Sequence, residues 1–338
     1  MKTATRWTWT APNDFPIINW VVKDLGIAPG AIMIWSAFVN EGKTMIAADM
    51  AVCIANGLPV FNRFPVQRSG KILHIDFEAG EEMSHIYYQR LLNGRGLTSY
   101  NNIDFLRPDW KLDELDDCKL DLEERLKGYT FCIVDCYSAG APNTDQNSES
   151  ARAPIDNLNA ISEKTGCAIL LLCHDPKAAT GKGLMRAVKG SGSIIAAAGC
   201  SYHIKKDENN GSTGTLTRVK NRLGNSVKVV AYEYVRVGDY NINLNDKIGC
   251  KFSINEINQE REDAHLNGNL VDVILELINM SPGINTRAII HQVKGDDHSI
   301  INSIKYLIDS NKVRLDVKGK AHQHYITPDG EAYLVNGK

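Results

Sequence analysis

The sequence has no strong charge imbalance and no pattern typical of a zinc-binding, secreted or membrane protein. Its 338 residues carry a formal net charge of −2, so any contact with DNA has to come from a local basic patch. The eight cysteines include no C-x-x-C pair, which argues against a zinc knuckle or a dithiol redox site. The chain shows no amino-terminal apolar leader and no apolar run of about 18 residues. We therefore expect a protein that is neither secreted nor membrane-spanning.

The cysteines are scattered along a chain that is long enough for two domains. Cys132 and Cys136 lie on or beside a predicted strand, where we expect them to face the core. Buried free thiols are typical of a reducing compartment, so we expect a cytoplasmic protein. The sequence has no internal repeat and no long low-complexity tract.

A glycine is also missing from the most informative motif. Residues 37–44 (AFVNEGKT) match the phosphate-binding loop G-x-x-x-x-G-K-[ST], except that Ala37 stands at the first glycine. In such a loop, backbone N–H groups surround the phosphates, the lysine reaches the β/γ oxygens and the threonine hydroxyl ligates Mg²⁺. The predicted nucleotide-binding residues, for ATP with Mg²⁺, are Ala37, Asn40, Glu41, Gly42, Lys43, Thr44 and Met45.

The context of this loop favours a nucleotide site over a chance tripeptide in a core helix. An apolar run at 31–37 predicts a buried strand before it, and 44–56 predicts a helix that ends at Gly57. Ala37 strains the loop by about 1 kcal/mol only if its φ angle is positive. Glu41 brings a negative charge near the phosphate path. We expect binding with slow turnover.

From residue 31 to 237 the pattern predicts alternating strands and helices, as in an α/β domain. Several strands are continuous apolar runs, which is typical of a mostly parallel sheet that is covered on both faces. The last two strands predict an antiparallel hairpin across 221–226, and we expect the ligand at the carboxyl ends of the parallel strands. The predicted strands are 31–37, 71–77, 103–106, 131–135, 168–173, 200–205, 214–220 and 227–235, and the helices include 81–95 and 151–165.

Polar side chains end three of the predicted strands. Asp135 has the position of a Walker B aspartate that holds Mg²⁺, although it could simply cap the next turn. Glu78 is the candidate general base, because it lies furthest past its strand, while Asp76 could be structural. His174 could sense the γ-phosphate, or it could be an ordinary core histidine.

Two basic segments are candidates for contacts with DNA or with a neighbouring subunit. Residues 177–193 are glycine-rich and basic, which suits a loop on a phosphodiester backbone but also a solvated surface loop. Lys220 and Arg222 at the hairpin tip could reach a neighbour's γ-phosphate as fingers in trans, or they could belong to an exposed turn. The DNA-contact candidates in the loop are Lys177, Lys182, Arg186 and Lys189.

The remaining segments predict an arm, a linker and a small second domain. Aromatic residues in 1–20 suit an arm that packs on its own domain or docks on a neighbouring subunit. The polar segment 238–262 predicts a linker. In 263–338, helices at 267–280, 285–293 and 298–310 and strands at 312–317 and 322–327 predict a winged helix.

The wing of this predicted domain is basic, which suits duplex phosphates, while its recognition helix carries only Lys305. A protein-docking or oligomerisation role is an equal alternative for this domain. The candidate duplex contacts are Lys312, Arg314, Lys318 and Lys320.

Taken together, residues 20–237 resemble RecA-fold ATPases of the hexameric replicative helicase type, closest to the RepA-like helicases and their DnaB-like relatives. The resemblance depends on the order of AFVNEGKT, HIDFEAGEE, FCIVDCYSAG, AILLLCHDPK, VKGSGS and VKNRLG. It implies a RecA-like domain at 21–237 and a hexameric ring whose central channel holds single-stranded DNA. The implied roles are phosphate and Mg²⁺ binding by Lys43 and Thr44, base Glu78, Walker B Asp135, sensor His174, and trans fingers Lys220 and Arg222.

The sequence therefore predicts an ATP-hydrolysing DNA motor, a helicase for a plasmid, phage or other mobile element. One alternative is a RecA- or RadA-like recombination ATPase that forms filaments. Another is an ATP-switched DNA-binding regulator or helicase loader with weak hydrolysis, for which Ala37 and Glu41 are the motivating residues.

Overall fold

The chain forms two compact units, Met1–Ile254 and Asn255–Lys338. The computed structural model describes residues 18–145, 148–175, 192–207, 210–222, 224, 226–238, 248–259, 270–293, 297–318 and 321–336. Nearly all of the predicted arm at 1–20 lies outside the described residues.

The first unit is built on a nine-stranded sheet. The strands are β1 Ile32–Ala37, β2 Lys71–Asp76, β3 Ile103–Leu106, β4 Tyr129–Asp135, β5 Ala168–His174, β6 Cys200–Lys206, β7 Thr213–Asn221, β8 Val229–Val237 and β9 Gly249–Ile254. Their order in the sheet is β3-β2-β4-β5-β1-β6-β7-β8-β9. Strands β3 to β6 along this order are parallel, and the last three are antiparallel to their neighbours. The predicted α/β fold, with its mostly parallel sheet and antiparallel final hairpin, is confirmed.

Helices cover both faces of this sheet, and the alternation of side chains along β1 shows how. Ile32 and Ile34 belong to one buried cluster, whereas Met33 and Trp35 belong to the other. Burial on both sides explains why the strands read as unbroken apolar runs. The helices of this unit are α1 Lys43–Asn56, α2 Glu81–Gly94, α3 Leu115–Arg125, α4 Tyr137–Gly140, α5 Arg152–Thr165 and α6 Gly192–Ala197.

Strand β9 corrects the predicted linker at 238–262. Six residues of that segment, Gly249–Ile254, pair with β8 and form the end of the sheet. A buried ion pair holds the strand in place: Arg95 lies 2.5 Å from Asp49 and also donates to the Phe252 carbonyl at 3.2 Å. The polar composition of the segment did not predict this strand. Its side-chain partners Asp49 and Arg95 lie more than 150 residues earlier in the chain, so no local pattern indicates the pairing.

A backbone-to-backbone contact joins β9 to the end of α2. A Cβ atom at Gly94 would lie 2.1 Å from the Cys250 carbonyl oxygen, and one at Gly249 would lie 2.4 Å from the Gly94 nitrogen. Side chains cannot fit at either position, so both glycines are required by this approach.

The second unit has a small sheet and helices around its own buried cluster. Its elements are α7 Leu270–Met280, β10 Ile284–Asn285, α8 Thr286–Gln292, α9 Asp297–Asp309, β11 Val313–Lys318, β12 Ala321–Ile326 and α10 Pro328–Asn336. The three strands have the order β10-β12-β11. The three predicted helices and two predicted strands are present. The short strand β10 and the last helix were not expected from the sequence.

All eight cysteines are free and buried, as expected for Cys132 and Cys136. Within the described residues, no helix combines the length and the apolar character that crossing a bilayer requires.

Candidate functional site

The predicted phosphate-binding loop lies between β1 and α1 at the carboxyl edge of the sheet. Asn40 has a φ angle of 67° and Gly42 one of 85°, and α1 begins at Lys43. Ala37 is fully buried at the end of β1, beside His174 of β5, and is not among the residues with positive φ. Its methyl group therefore costs the loop little, and the missing first glycine introduces no backbone strain.

Lys43 folds back over this loop instead of extending into solvent. Its ammonium group donates to the carbonyls of Ala37 and Phe38, both at 3.3 Å, and lies 3.0 Å from Nδ1 of His174. Burial lowers the pKa of Lys43, while nearby acidic groups such as Asp135 oppose that shift. The structure thus holds a cation at the position where the loop motif needs one.

Thr44 and Asp135 form the second contact of the site. The threonine hydroxyl donates to Oδ2 of Asp135 at 2.6 Å, although β4 and β1 are separated in the sheet by β5. His74 of β2 lies on the other side of the carboxylate, with Nε2 4.0 Å from the same oxygen. His74 is buried and hydrogen-bonds Tyr88 at 2.8 Å through Nδ1. Burial lowers its pKa to about 4, so it is neutral near pH 7.

Asp135 has an unusual electrostatic environment. Burial raises its pKa to about 6, and the carboxylates of Glu78 and Asp76 add to this effect. The hydroxyl of Thr44 and the ammonium of Lys43 act in the opposite direction. A buried carboxylate with two acidic neighbours is a favourable place for a cation, because a cation removes the repulsion that holds the pKa high.

Asp76 and Glu78 have different roles, as the strand pattern allowed. The Asp76 carboxylate accepts from the backbone N–H groups of Glu78, Ala79 and Gly80 at 2.7–2.8 Å and from the Ser84 hydroxyl at 3.1 Å. Burial tends to raise the pKa of Asp76, but these hydrogen bonds outweigh it and the pKa is lowered. Asp76 shapes the turn that carries Glu78.

Glu78 is exposed at the edge of the sheet and contacts two other strand ends. Its Oε2 accepts from the Cys136 thiol at 2.9 Å and lies 3.4 Å from Nε2 of His174. The thiol hydrogen bond is the main reason that the pKa of Glu78 is lowered, and the charges of His174 and Lys43 contribute. An ionised, accessible carboxylate of this kind can accept a proton from a water molecule.

Glu41 does not project its charge into the loop. Its carboxylate accepts from the backbone N–H of Lys206, the last residue of β6, and Lys206 Nζ donates to the Asn40 carbonyl at 2.6 Å. These two contacts fasten the loop to the neighbouring strand. The Glu41 carboxylate is therefore directed to β6 and not into the expected phosphate path.

Lys220 and Arg222 lie at the opposite edge of the sheet. Lys220 pairs with Ser201 at the start of β6, whereas the phosphate-binding loop follows the end of β1, and β1 and β6 are parallel. Lys220 donates to the carbonyls of Ile195 and Ala196 at 2.8 and 2.6 Å. Burial lowers its pKa to about 8, with Arg222 and Arg152 contributing. Neither cation reaches the loop of its own chain.

Two of the eight candidate DNA contacts, Lys312 and Arg314, have described side chains. Lys177, Lys182, Arg186, Lys189 and Lys320 lie outside the described residues, and nothing is described of the Lys318 side chain. Two of the cations predicted to lie on the wing have partners within the second unit. Lys312 lies over the Tyr333 ring at 4.5 Å, and Arg314 pairs with Asp316 at 3.1 Å.

The residues at the carboxyl edge fit a nucleotide with Mg²⁺. The first N–H groups of α1 have no partner within the helix, and Lys43 lies buried beside them, so both can hold phosphate oxygens. Thr44 and Asp135 supply the hard oxygen donors that Mg²⁺ prefers. Strand, loop and helix in this order define the class of protein as a P-loop nucleotide-binding protein.

Comparison with protein families gives the same class. The model of the AAA_25 family, described as an AAA domain, matches residues 3–180, just over half of the chain, and the chain belongs to this family. The matched segment carries the loop, Glu78, Asp135 and His174. Membership indicates a nucleotide-hydrolysing ATPase and implies nucleotide binding, usually with Mg²⁺. A search of curated proteins gave no match.

Three residues of the site were not predicted from the sequence to belong to it. Cys136 was expected only to face the core, but its thiol contacts Glu78. Lys206 anchors the loop, and His74 lies beside Asp135. Cys136 could have been found from its position, since it directly follows Asp135 at a strand end. Lys206 gave no signal, because its partner is 166 positions away in the chain.

Proposed function

We propose that this protein is a RecA-like ATPase that uses hydrolysis to move along or remodel single-stranded DNA, as a replicative helicase for a plasmid, phage or mobile element. The observation that carries the proposal is the connected set Lys43–His174–Glu78 beside the pair Thr44–Asp135. It brings a phosphate ligand, a γ-phosphate sensor, a general base and a Mg²⁺ ligand to one edge of one sheet.

Each side chain has a step that its contacts support. Lys43 holds the β and γ phosphate oxygens, and to do so it exchanges its carbonyl partners for phosphate. Glu78, ionised and exposed, accepts the proton of the attacking water. Thr44 and Asp135 would hold Mg²⁺, which would neutralise phosphate charge.

His174 connects hydrolysis to the DNA-binding segment in this proposal. One ring nitrogen faces Lys43 and the other faces Glu78, so its hydrogen bonds change when phosphate enters or leaves. The next residue, Asp175, is buried and pairs with His203 at 2.7 Å, which ties this strand end to β6. The basic segment 177–193 follows directly, and it is our candidate for the contact with single-stranded DNA.

The two residues that motivated a weakly hydrolysing switch no longer favour it. Ala37 has an ordinary backbone conformation, and the Glu41 carboxylate is engaged by the backbone of β6. Both observations support a loop that is able to turn over nucleotide, so hydrolysis is the better proposal.

A homo-oligomer, specifically a hexameric ring, completes the proposal. Lys220 and Arg222 lie too far along the sheet to serve their own loop, so a role in catalysis requires a neighbouring subunit. Arg222 is exposed, as a finger acting in trans has to be.

The second unit is proposed to be a winged helix that binds duplex DNA or a protein partner. Its order of helix, short strand, two helices and hairpin supports this assignment. The ion pair of Arg314 with Asp316 reduces the net positive charge of the proposed wing. A protein partner therefore gains support relative to duplex phosphates.

Strand separation coupled to hydrolysis is the decisive test. A forked duplex with a fluorescent strand is incubated with the full chain, ATP and Mg²⁺, and ATPase rates are measured with and without a single-stranded oligonucleotide. We expect stimulation by the oligonucleotide, separated strands, and loss of both activities in Lys43→Ala. The matched control is Lys119→Ala on the surface of α3, where the ion pair with Glu123 at 4.0 Å contributes little.

Two results would contradict the proposal. If DNA leaves the ATPase rate unchanged and no strand separates, the protein is not a motor. If electron microscopy with an ATP analogue and single-stranded DNA shows open helical filaments instead of closed rings, a RecA-like recombination ATPase replaces the helicase proposal.

A further inference from the structure

Three metal-binding atoms of different kinds converge at the carboxyl edge of the sheet. Glu78 Oε2, Cys136 Sγ and His174 Nε2 all lie within 4.8 Å of one another. The residues follow or end β2, β4 and β5, which are neighbours in the sheet. A carboxylate, a thiol and an imidazole are the three donor types that bind zinc in proteins.

We propose that Glu78, Cys136 and His174 form a zinc site that is separate from the Mg²⁺ ligands Thr44 and Asp135. The site would also take Co²⁺, which accepts the same donors. It would have three protein ligands and one open position for water, which is the arrangement of an accessible zinc site.

The donor separations support this geometry. Tetrahedral zinc with bonds of about 2.0 Å to O and N and about 2.3 Å to S places O and N roughly 3.3 Å apart and O and S roughly 3.5 Å apart. The observed separation from Glu78 Oε2 to His174 Nε2 is 3.4 Å, and that to Cys136 Sγ is 2.9 Å. Of these two distances, only the second has to lengthen, and the third separation, from Cys136 Sγ to His174 Nε2, is at most 4.8 Å.

Accessibility also favours the site. The side chains of Glu78 and His174 are 53% and 20% exposed, so an ion can enter from solvent, while Cys136 forms the buried floor. The thiol already directs its proton to the Glu78 carboxylate and also contacts the Ser138 hydroxyl at 3.1 Å. Zinc would replace that proton, which is released to solvent.

The adjacent Lys43 is the one unfavourable neighbour among the described contacts of these three ligands. Its ammonium group lies 3.0 Å from His174 Nδ1. Zinc on Nε2 leaves the ring proton on Nδ1, so Lys43 has to withdraw from it. The carbonyls of Ala37 and Phe38, already at 3.3 Å, remain as its partners.

A consequence for activity rests on the proposed function. If Glu78 is the base and His174 the sensor, zinc at this site removes both from the nucleotide and stops hydrolysis, even with Mg²⁺ in large excess. A chelator restores the rate. The protein would then be an ATPase whose turnover depends on the free zinc concentration.

Binding is tested first on nucleotide-free protein with Co²⁺ and Zn²⁺. We expect one Co²⁺ per chain with a thiolate-to-metal charge-transfer absorption, and displacement by Zn²⁺. Cys136→Ala should abolish the absorption and weaken zinc binding by about 100-fold or more, since loss of a direct ligand costs at least as much as loss of an outer-shell partner. Cys132→Ala, at another fully buried cysteine of the same segment, is the matched control and should bind like the wild type.

The proposal is overturned if wild-type protein binds Co²⁺ without that absorption, or if Cys136→Ala binds zinc as tightly as the wild type. Circular dichroism checks that both variants fold. The Co²⁺ absorption spectrum of the wild-type protein tests the site even if a variant does not fold. Inhibition is measured separately, relative to the metal-free rate of each protein. Zinc binding without any ATPase activity would contradict the proposed function alone, and ATPase activity without zinc binding would contradict the zinc site alone.

Discussion

Charged residues at the carboxyl edge of the nine-stranded sheet, where the parallel strands end, make different contacts from those at the amino edge, where these strands begin. At the carboxyl edge, side chains from different strands hydrogen-bond one another, as in Lys43 with His174 and Thr44 with Asp135. At the amino edge, Lys220 donates to main-chain carbonyls of α6, and Arg222 is exposed. One edge is preassembled within the chain, and the other presents charge outward.

This difference indicates which parts of the proposed ATPase site a single chain supplies and which require a second copy. Parallel strands direct their carboxyl ends to one edge, so groups distant in sequence meet there without a partner chain. The antiparallel strand β7 carries its last residues to the other edge. If both edges serve one reaction, they can meet only across a boundary between two copies of the chain.

The sharpest test of this comparison is Arg222→Ala. An arginine acting in trans contributes about 10³–10⁵ in rate, so we expect hydrolysis by the assembled protein to fall by that factor. Mixing the variant with Lys43→Ala should restore activity, because each chain supplies the edge that the other lacks. For random one-to-one assembly, about a quarter of the sites would be complete in a head-to-tail ring. An unchanged rate in Arg222→Ala would remove the amino edge from catalysis.

The next largest effect is expected at the carboxyl edge from Glu78→Gln. Loss of the general base should reduce hydrolysis by about 10²–10⁴-fold while ATP affinity is retained, since Gln keeps the size of the side chain. Single-turnover hydrolysis and nucleotide binding by calorimetry separate the two quantities. Glu82→Gln, exposed in the first turn of α2, is the control and should behave as wild type. Equal losses of hydrolysis in Glu78→Gln and Glu82→Gln would show that Glu78 is not the general base.

Asp135→Asn should make the nucleotide-free protein more stable near pH 7. The pKa of Asp135 is raised to about 6, so between about pH 4 and 6 the folded state keeps a proton that the unfolded state has released. The stability of the wild type therefore falls as the pH rises through this window, by up to about 3 kcal/mol.

The neutral amide of the Asp135→Asn variant would not show this loss. Denaturant unfolding of both proteins without Mg²⁺, from acidic to neutral pH, measures the difference. If the free energy of unfolding depends on pH in the same way for both proteins, ionisation of Asp135 does not destabilise the folded state. The proposed reason for its affinity for a cation would then be wrong.

The smallest effect is expected for Asp76→Asn. Asp76 accepts hydrogen bonds from three backbone N–H groups and one hydroxyl, and an amide can satisfy only part of these. We expect a loss of about 1–3 kcal/mol in the free energy of unfolding at neutral pH. Because the pKa of Asp76 is lowered, this contribution is present near neutrality and disappears as the pH falls. A fully retained stability would show that the turn at Glu78 does not need the charge.

The sequence predicted the parallel part of the sheet well, because strands that are buried on both faces leave an unmistakable apolar run. Strand β5, predicted at 168–173, spans Ala168–His174, and its residues up to Cys173 are all buried. Helix α3 was not named, although its buried residues Cys118 and Leu122 have helical spacing. Strand β9 was missed because its side-chain partners Asp49 and Arg95 are distant in sequence. Long-range pairing of this kind leaves no local signal.

The same distinction applies to the candidate site. The positions of Lys43, Thr44, Asp135, Glu78 and His174 at one edge were predicted, because each follows or ends a strand of the parallel sheet. What the sequence could not show is the set of contacts between them. The thiol of Cys136 on Glu78 and the fastening of Glu41 to β6 depend on side-chain rotation in three dimensions.

Strand β9 has a practical consequence for expression. A chain ended at Gly238, where the polar segment begins, would expose the hydrogen-bonding edge of β8 from Tyr232 to Val237, including the buried position Tyr232. It would also leave the end of α2 without its backbone contact at Gly94. Exposed edges of this length promote aggregation, so the shortest soluble form of the ATPase unit should extend through Ile254.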